Sequence, residues 1–113
     1  MADPGWMPLD VTPGHPEYPA NHGCVTEALM DTLSAFFGTD EVPYSVSSTV
    51  TGTTHSFDSF EDVVKDVYHA RIYGGMHFRH SVKEGNRLGH WVATYLLAHK
   101  FCRVGEACPR DDD

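Results

Sequence analysis

Residues 58–73 read DSFEDVVKDVYHARIY, and this stretch decides the fold class because its apolar positions recur with the period of an α-helix. The apolar stripe consists of Phe60, Val63, Val64, Val67, Tyr68 and Ile72. Asp58 and Glu61 have the spacing of a capping box, in which side chains satisfy the first free backbone N–H groups. Gly74 and Gly75 follow the last apolar position, so the sequence predicts a helix over residues 58–73.

One basic residue, Arg71, falls on the apolar face of this helix, four residues after Val67. A charge buried without a partner costs several kcal/mol. The guanidinium must therefore be paired, and two kinds of partner are open. One is an Asp or Glu in a structural ion pair. The other is a phosphate-like anion, which a guanidinium binds through two parallel hydrogen bonds.

Two further helices are predicted on either side of this one. The apolar positions of the first, within residues 23–37, are Val25, Ala28, Leu29, Thr32, Leu33 and Phe36. Those of the last are Leu88, Trp91, Val92, Tyr95 and Leu96. Ser81 and Glu84 form a capping-box spacing before it, and Gly85 and Gly89 permit close contact with a neighbouring helix. The sequence therefore predicts an all-α fold, a partial bundle of about three main helices.

The remaining segments are irregular. Residues 2–19 contain five prolines and are expected to form a strap over the surface, because proline restricts its own backbone and that of the residue before it. Residues 41–57 have no helical period and predict a long central loop with at most one short strand. Residues 105–113 form a polar, acidic tail. The apolar stripes are broad for a core of three helices, which indicates that helices are missing from the bundle.

Composition indicates one domain over residues 1–113 and excludes several functions. Hydrophobic residues make up 41% and charged residues 21%, as in an ordinary globular domain. The net charge of −8 disfavours binding to nucleic acid or to an anionic membrane surface. We find no apolar run of about 18 residues and no signal-peptide pattern, and the sequence assigns no compartment. The three cysteines form no zinc motif, and a Cys102–Cys108 bridge would require an oxidising compartment.

Two histidines lie where helices are predicted to begin. His22 extends the first apolar stripe by one turn and follows Asn21, the predicted N-cap. The N–H groups of Gly23 and Cys24 would then face an anion, and a histidine there could exchange protons with it. His77 follows Arg71 by six residues, just before the last helix. The alternative for each histidine is a purely structural position in the core or on the surface.

Two stretches resemble motifs of one family, the vanadium-dependent haloperoxidase and type 2 phosphatidic acid phosphatase superfamily. Residues 16–22, PEYPANH, resemble its Pro-Ser-Gly-His motif. Residues 70–79, ARIYGGMHFR, resemble its closing motif, in which Ser-Arg is followed by five residues and then His. The resemblance covers residues 6–101, and the two motifs occur in the family's order. It implies the C-terminal part of an all-helical bundle that holds vanadate or a phosphoryl group.

The resemblance also implies roles for individual residues. His77 would ligate vanadium in a haloperoxidase or attack phosphorus in a phosphatase, and Arg71 would hold the oxygens of the anion. His22 would be the general acid and base, and the backbone N–H groups of Asn21 and Gly23 would bind the oxyanion. Many members of the family carry an Asp four residues after the histidine that corresponds to His77, and that Asp orients the histidine. Ser81 stands at that position, and it would either orient the histidine or cap the last helix.

The chain departs from the family pattern at two important points. Ala20 stands where the family usually has Ser, and a lost hydrogen bond to a charged group costs about 1.5–3 kcal/mol. The family also has a Lys, followed by Arg-Pro, before its Pro-Ser-Gly-His motif. Here no Lys or Arg precedes Lys65, so two cationic contacts are absent.

Three functional hypotheses follow from the resemblance. In the first, the protein is haloperoxidase-like and oxidises a halide with hydrogen peroxide at vanadate held by His77 and Arg71. It is expected to be inactive alone and to be completed by a missing N-terminal half or a second chain. In the second, it is a phosphatase that works through a phosphohistidine at His77 and needs no cofactor. In the third, it is a truncated, non-catalytic fragment.

Overall fold

The computed structural model of the chain describes residues 3–102 and 104–105. The elements in chain order are α1 (Asn21–Phe37), β1 (Tyr44–Ser47), β2 (Thr54–Phe57), α2 (Phe60–Tyr73) and α3 (Arg79–His99). The predicted all-α partial bundle with three main helices is confirmed as a mostly helical fold, to which β1 and β2 add a small sheet. No described helix is long and apolar enough to cross a membrane. The predicted tail beyond Gly105, and Cys108 with its predicted bridge, lie outside the described residues.

The helices pack as one long pair with a third helix against it. Helix α1 makes its main contact with α3, and α2 packs chiefly on α1. The pair is close because Gly85 and Gly89 of α3 lie against the backbone of α1, where a Cβ would overlap the carbonyl oxygens of Ala20 and Cys24. The structure thus confirms the close helix contact predicted from the two glycines.

The face that α3 buries differs from the predicted apolar stripe. Its buried positions are Ser81, Val82, Gly85, Gly89 and Ala93. The predicted positions Leu88, Trp91, Val92 and Tyr95 are 39–54% exposed. Small residues allow two backbones to approach closely, so α3 turns its glycine face towards α1 and its large side chains outward. On α1 three predicted positions, Val25, Leu29 and Phe36, are also exposed.

All three helices begin at positions that differ from the predicted caps. Helix α1 starts at Asn21, with Ala20 in the cap position and no side-chain cap, so Asn21 is the first helical residue and not the N-cap. Helix α2 is capped by Ser59, whose hydroxyl accepts from the N–H of Asp62 at 3.2 Å. The predicted cap, Asp58, lies one residue outside, because Ser59 has the extended backbone that capping requires.

The N-cap position of helix α3 lies three residues earlier than predicted. Its first residue is Arg79 and its cap position is Phe78, which places Ser81 inside the first turn. Ser81 is 3% exposed, and its carbonyl accepts from the N–H of Ala20 at 3.0 Å. The predicted role of Ser81 as N-cap is therefore wrong, because the strap before α1 packs directly on this turn.

The central segment contains a β-hairpin where at most one short strand was predicted. Strands β1 and β2 pair antiparallel, from Tyr44 opposite Phe57 to Ser47 opposite Thr54. The hydroxyl groups of Ser47 and Thr54 lie 2.9 Å apart across the pair. Tyr44 also contacts Phe60 of α2, with ring centroids 5.7 Å apart. The strands were not predicted because the segment is rich in Ser and Thr and lacks an alternation of apolar residues. Pairs of hydroxyl groups and the aromatic contacts of Tyr44 stabilise the hairpin instead.

Candidate active site

The turn between α2 and α3 holds His77 in a fixed position. The N–H groups of Met76 and His77 donate to the carbonyl of Arg71 at 3.1 and 3.2 Å. The His77 side chain is 1% exposed, and its Nδ1 lies 2.7 Å from the carbonyl oxygen of Glu17. A carbonyl only accepts, so Nδ1 carries the proton and Nε2 of the neutral ring keeps a free lone pair. Nε2 is buried and has no hydrogen-bond partner among the described residues.

Glu17 joins the strap to this turn through two groups. Its carbonyl accepts from His77, and its carboxylate accepts from the N–H of Phe78 at 2.9 Å. The pKa of Glu17 lies below its ordinary value, first because of a hydrogen bond from Ser81 and then because of the one from Phe78. The carboxylate therefore stays ionised beside the imidazole.

Ser81 acts on the histidine differently from the prediction. Its hydroxyl bonds to the carboxylate of Glu17, and Glu17 in turn orients the ring of His77. Glu17 lies near the start of the first motif, and the sequence carried no signal that it reaches the second motif. Glu17 is thus a site residue that sequence reasoning missed, because its contact with His77 spans 60 positions along the chain.

Arg71 of α2 brings a half-buried guanidinium to the same place. Its Nε and Nη2 are buried and have no hydrogen-bond partner among the described residues. Burial lowers the pKa of Arg71, and the negative charge of Asp10 opposes that effect. No Asp or Glu in the described part of the chain forms an ion pair with it. Of the two partners left open by the sequence, this geometry favours an anion.

His22 stands at the first turn of α1, exposed to solvent, next to these groups. Its pKa lies below the ordinary value, first because of partial burial and then because of electrostatic interaction with Arg71, His15 and His77. The imidazole of His22 therefore lies near three basic residues: His15 of the strap, Arg71 of α2 and His77 of the turn after α2. The structure brings His22, Arg71 and His77 together as the sequence predicted.

His15 is the second site residue that sequence reasoning missed. Its ring lies 5.5 Å from that of His77 with 10° between the planes, and 5.6 Å from that of His22. Its Nδ1 lies 3.1 Å from the carbonyl of Pro16, and its Nε2 is buried without a partner among the described residues. Metal-ligand spacing gave no reason to select His15. Its position one residue before the PEYPANH motif was the signal that could have identified it.

The first turn of α1 supplies backbone donors. The N–H groups of Asn21, His22 and Gly23 precede the first intrahelical bond, from the N–H of Cys24 to the carbonyl of Ala20 at 3.1 Å. They carry the positive end of the helix dipole, which favours an anion. Gly23 also lies against α3, where a Cβ would stand 2.5 Å from Oδ1 of Asn86. A side chain at this position would displace the Asn86 amide and crowd the carbonyl oxygen of Val82, 3.1 Å away.

The unpartnered atoms require a ligand with two chemical properties. Arg71 offers N–H donors, which need oxygen acceptors, whereas Nε2 of His77 offers a lone pair, which needs an electrophilic centre or a proton. Buried polar groups are almost always partnered, so such atoms call for an explanation. Vanadate and a phosphoryl group both combine oxygens with an electrophilic central atom, and these residues fit either one. A cavity of about 730 Å³, lined in part by Trp6, Ile72 and His77, borders the turn that carries His77.

Comparison with known proteins assigns the family. Residues 1–104 match the VCPO second helical-bundle domain, which occurs in vanadium haloperoxidases. The chain belongs to the vanadium haloperoxidase superfamily. This haloperoxidase-family chain corresponds to a C-terminal part of that fold, as the sequence motifs predicted.

Solved structures agree with this assignment. The haloperoxidase-family chain is similar to a bacterial vanadium-dependent iodoperoxidase, with 30% identity, a TM-score of 0.74 and 80% of this chain covered. It shares its fold with a bacterial vanadium-dependent chloroperoxidase in holo and apo forms, at 18% and 19% identity, TM-scores of 0.68, and 80% and 79% of this chain covered. The chain spans 22% of the length of each of these structures. No curated protein matches it.

Proposed function

We propose that this chain provides the C-terminal part of a vanadate site in a haloperoxidase that oxidises a halide with hydrogen peroxide. One observation carries the proposal. Nε2 of His77, and Nε and Nη2 of Arg71, are buried without partners among the described residues, and both residues lower the pKa of His22, in a chain whose net charge is −8. Positive and unpaired groups gathered in an acidic protein indicate a local anion site.

In this proposal His77 ligates the metal through Nε2. The hydrogen bond from its Nδ1 to Glu17 fixes the tautomer and the ring orientation, as the outer partner of a metal-ligating histidine usually does. Arg71 binds the oxygens through two N–H groups, and the backbone N–H groups of Asn21 and Gly23 add to the binding. When bound, vanadate would act as a Lewis acid that activates hydrogen peroxide towards the halide.

His22 is the proposed acid and base of the site. Because its pKa is lowered, its imidazole is neutral near pH 7 and accepts a proton from a bound reactant. It returns that proton in a later step. His15 stacks on His77 and lies beside His22, so it supports both rings and restricts the access of water between them.

A further polypeptide completes the proposed enzyme. Large side chains such as Trp91 of α3 and Phe36 of α1 remain exposed on the outer faces of the helix pair. The cationic residues of the family's Lys and Arg-Pro motif must also come from elsewhere. We propose an N-terminal half or a second chain as their source, and the 113 residues alone are expected to bind vanadate weakly and to turn over slowly.

The test separates binding from turnover. Vanadate is titrated into the chain and followed by ⁵¹V NMR, with His77→Ala as the test variant and His55→Ala as the control, because His55 is an exposed histidine of the hairpin. We expect binding by the unmodified chain and the control, and none by His77→Ala. Equal binding by all three proteins would refute the proposal.

Iodide oxidation with hydrogen peroxide, measured as triiodide absorbance, then tests the reaction itself. Iodide is chosen because the relative with 30% identity is an iodoperoxidase. Activity that requires vanadate supports the haloperoxidase. Release of phosphate from a p-nitrophenyl ester without vanadate would instead support a phosphatase acting through a phosphohistidine at His77. Vanadate binding with neither activity would support a fragment that needs its completing half.

A further inference from the structure

A second cluster of ionisable side chains lies between α1 and α3, on residues that the proposed vanadate site does not use. Glu27 and Asp31 are one turn apart on α1, and His90 faces them from α3. One ligand atom from each of the three lies within 4.8 Å of the others. Nδ1 of His90 lies 2.7 Å from Oδ2 of Asp31.

The close packing of α1 on α3 fixes the spacing of this cluster. Gly89 directly precedes His90, and a Cβ on Gly89 would stand 2.9 Å from the Cβ of Glu27 and 3.0 Å from the nitrogen of Ala28. The backbones that carry the two carboxylates and the imidazole therefore cannot slide or approach further. Preorganisation of this kind is what a binding site on two helices requires.

The charges within the cluster are not balanced. The pKa of Glu27 is raised, first by burial and then by the negative charge of Asp31, while His90 opposes the shift. The cluster opens on a cavity of about 510 Å³ that two further carboxylates, Asp40 and Glu61, also line. A cation in this position would relieve the repulsion between Glu27 and Asp31.

An independent observation also points to a ligand at this cavity. Asn86 of α3 lines it and is half-buried, and its buried Oδ1, which lies against Gly23 of α1, has no hydrogen-bond partner among the described residues. An amide oxygen accepts two hydrogen bonds or coordinates a cation, and burial without either is costly. Lys65 lines the same cavity, but it pairs with Glu61 at 3.0 Å, and no Lys or Arg in the described part of the chain pairs with Glu27 or Asp31.

We propose that Glu27, Asp31 and His90 bind a divalent transition-metal cation of the Zn²⁺ type. Two carboxylate oxygens and one imidazole nitrogen are ligands that Zn²⁺ takes in proteins, and three protein ligands leave a fourth position for water. The imidazole selects against Ca²⁺ and Mg²⁺, which prefer oxygen ligands only. The bound cation joins α1 to α3, and this proposal is independent of the vanadate site.

The first experiment is calorimetric titration of the full chain with Zn²⁺. We expect a site that weakens at least tenfold in His90→Gln and in Glu27→Gln. His55→Gln is the matched control, because His55 faces one carboxylate, Asp66 at 3.4 Å, with no third ligand in the described part of the chain. Circular dichroism verifies that each variant is folded. A His90→Gln variant that binds Zn²⁺ as tightly as the unmodified chain would overturn the proposal.

The second experiment needs no substitution. Side-chain ¹⁵N NMR of the unmodified chain during the Zn²⁺ titration shows which imidazoles change. We expect the His90 resonances to shift at the first equivalent of Zn²⁺ and Ca²⁺ to leave them unchanged. Shifts confined to the three clustered imidazoles of His15, His22 and His77 would locate the metal elsewhere and overturn the proposal, as would displacement of Zn²⁺ by an equal concentration of Ca²⁺.

Discussion

The imidazole of His15 lies parallel to that of His77, with 5.5 Å between the ring centroids and 10° between the ring planes. The Nε2 atoms of both rings are buried without partners among the described residues. The strap before α1 therefore forms a wall of the site. Any description of this site from the two motifs alone leaves out His15, whose ring covers that of His77.

Replacing Arg71 tests the anion pocket. Loss of hydrogen bonds to a charged group costs about 1.5–3 kcal/mol, so Arg71→Ala is expected to weaken vanadate binding roughly 10- to 100-fold. Arg71→Lys keeps the charge but loses the two-pronged geometry, and we expect an intermediate loss. Calorimetry measures both, with Arg87→Ala as the control because Arg87 is exposed on α3 and stacks on Trp91. Unchanged affinity in Arg71→Ala would remove the guanidinium from the site.

Replacing Arg71 is expected to affect the stability of the fold in the opposite direction to vanadate binding. Arg71 is half-buried without an ion pair, so Arg71→Met is expected to leave the free energy of unfolding unchanged or to raise it when no anion is present. Breaking a structural ion pair would instead destabilise the protein by several kcal/mol. Urea denaturation of the two proteins, with and without vanadate, distinguishes these cases. A large loss of stability without vanadate would favour the structural role.

The pH dependence of stability follows from His22. Its pKa is lower in the folded chain than the ordinary value of about 6.5, so the unfolded chain takes up the proton first as the pH falls. The contribution of neutral His22 to the free energy of unfolding is therefore complete above about pH 6.5. It is lost as the pH falls from there towards the pKa of His22 in the folded chain. We expect the thermal midpoint to fall over this range and to fall less in His22→Gln. If the thermal midpoints of the two proteins changed in parallel between pH 8 and 5, the lowered pKa of His22 would be contradicted.

The glycine contact between α1 and α3 predicts a specific cost. A Cβ at Gly89 would overlap the carbonyl of Cys24, so Gly89→Ala is expected to destabilise the fold by about 1–3 kcal/mol through overpacking. Gly14→Ala is the control, because a Cβ there meets nothing within 4 Å. Chemical denaturation measures both variants. Equal effects at the two positions would show that the helix pair is looser than described.

Several features could be predicted from the sequence because their signals are local. Helical periodicity located the three helices, and the spacing of Gly85 and Gly89 indicated a close helix contact. The two motifs selected His22, Arg71 and His77, which the structure brings together. Each of these inferences depends on residues a few positions apart, where chain geometry alone sets the relationship.

Other features were decided only by tertiary structure. Helix α3 buries its glycine face and not its large apolar stripe, because the partner helix approaches the smaller side chains. The side chain of Ser81 forms a hydrogen bond with Glu17 instead of capping a helix, because the strap lies across the first turn of α3. Sequence alone identified several residues with the right chemistry but missed Glu17 and His15. Tertiary contacts, such as the one that joins Glu17 to His77 across 60 positions, determined which of them share a site and which atoms remain free for a ligand. Local periodicity carries no information about such distant contacts.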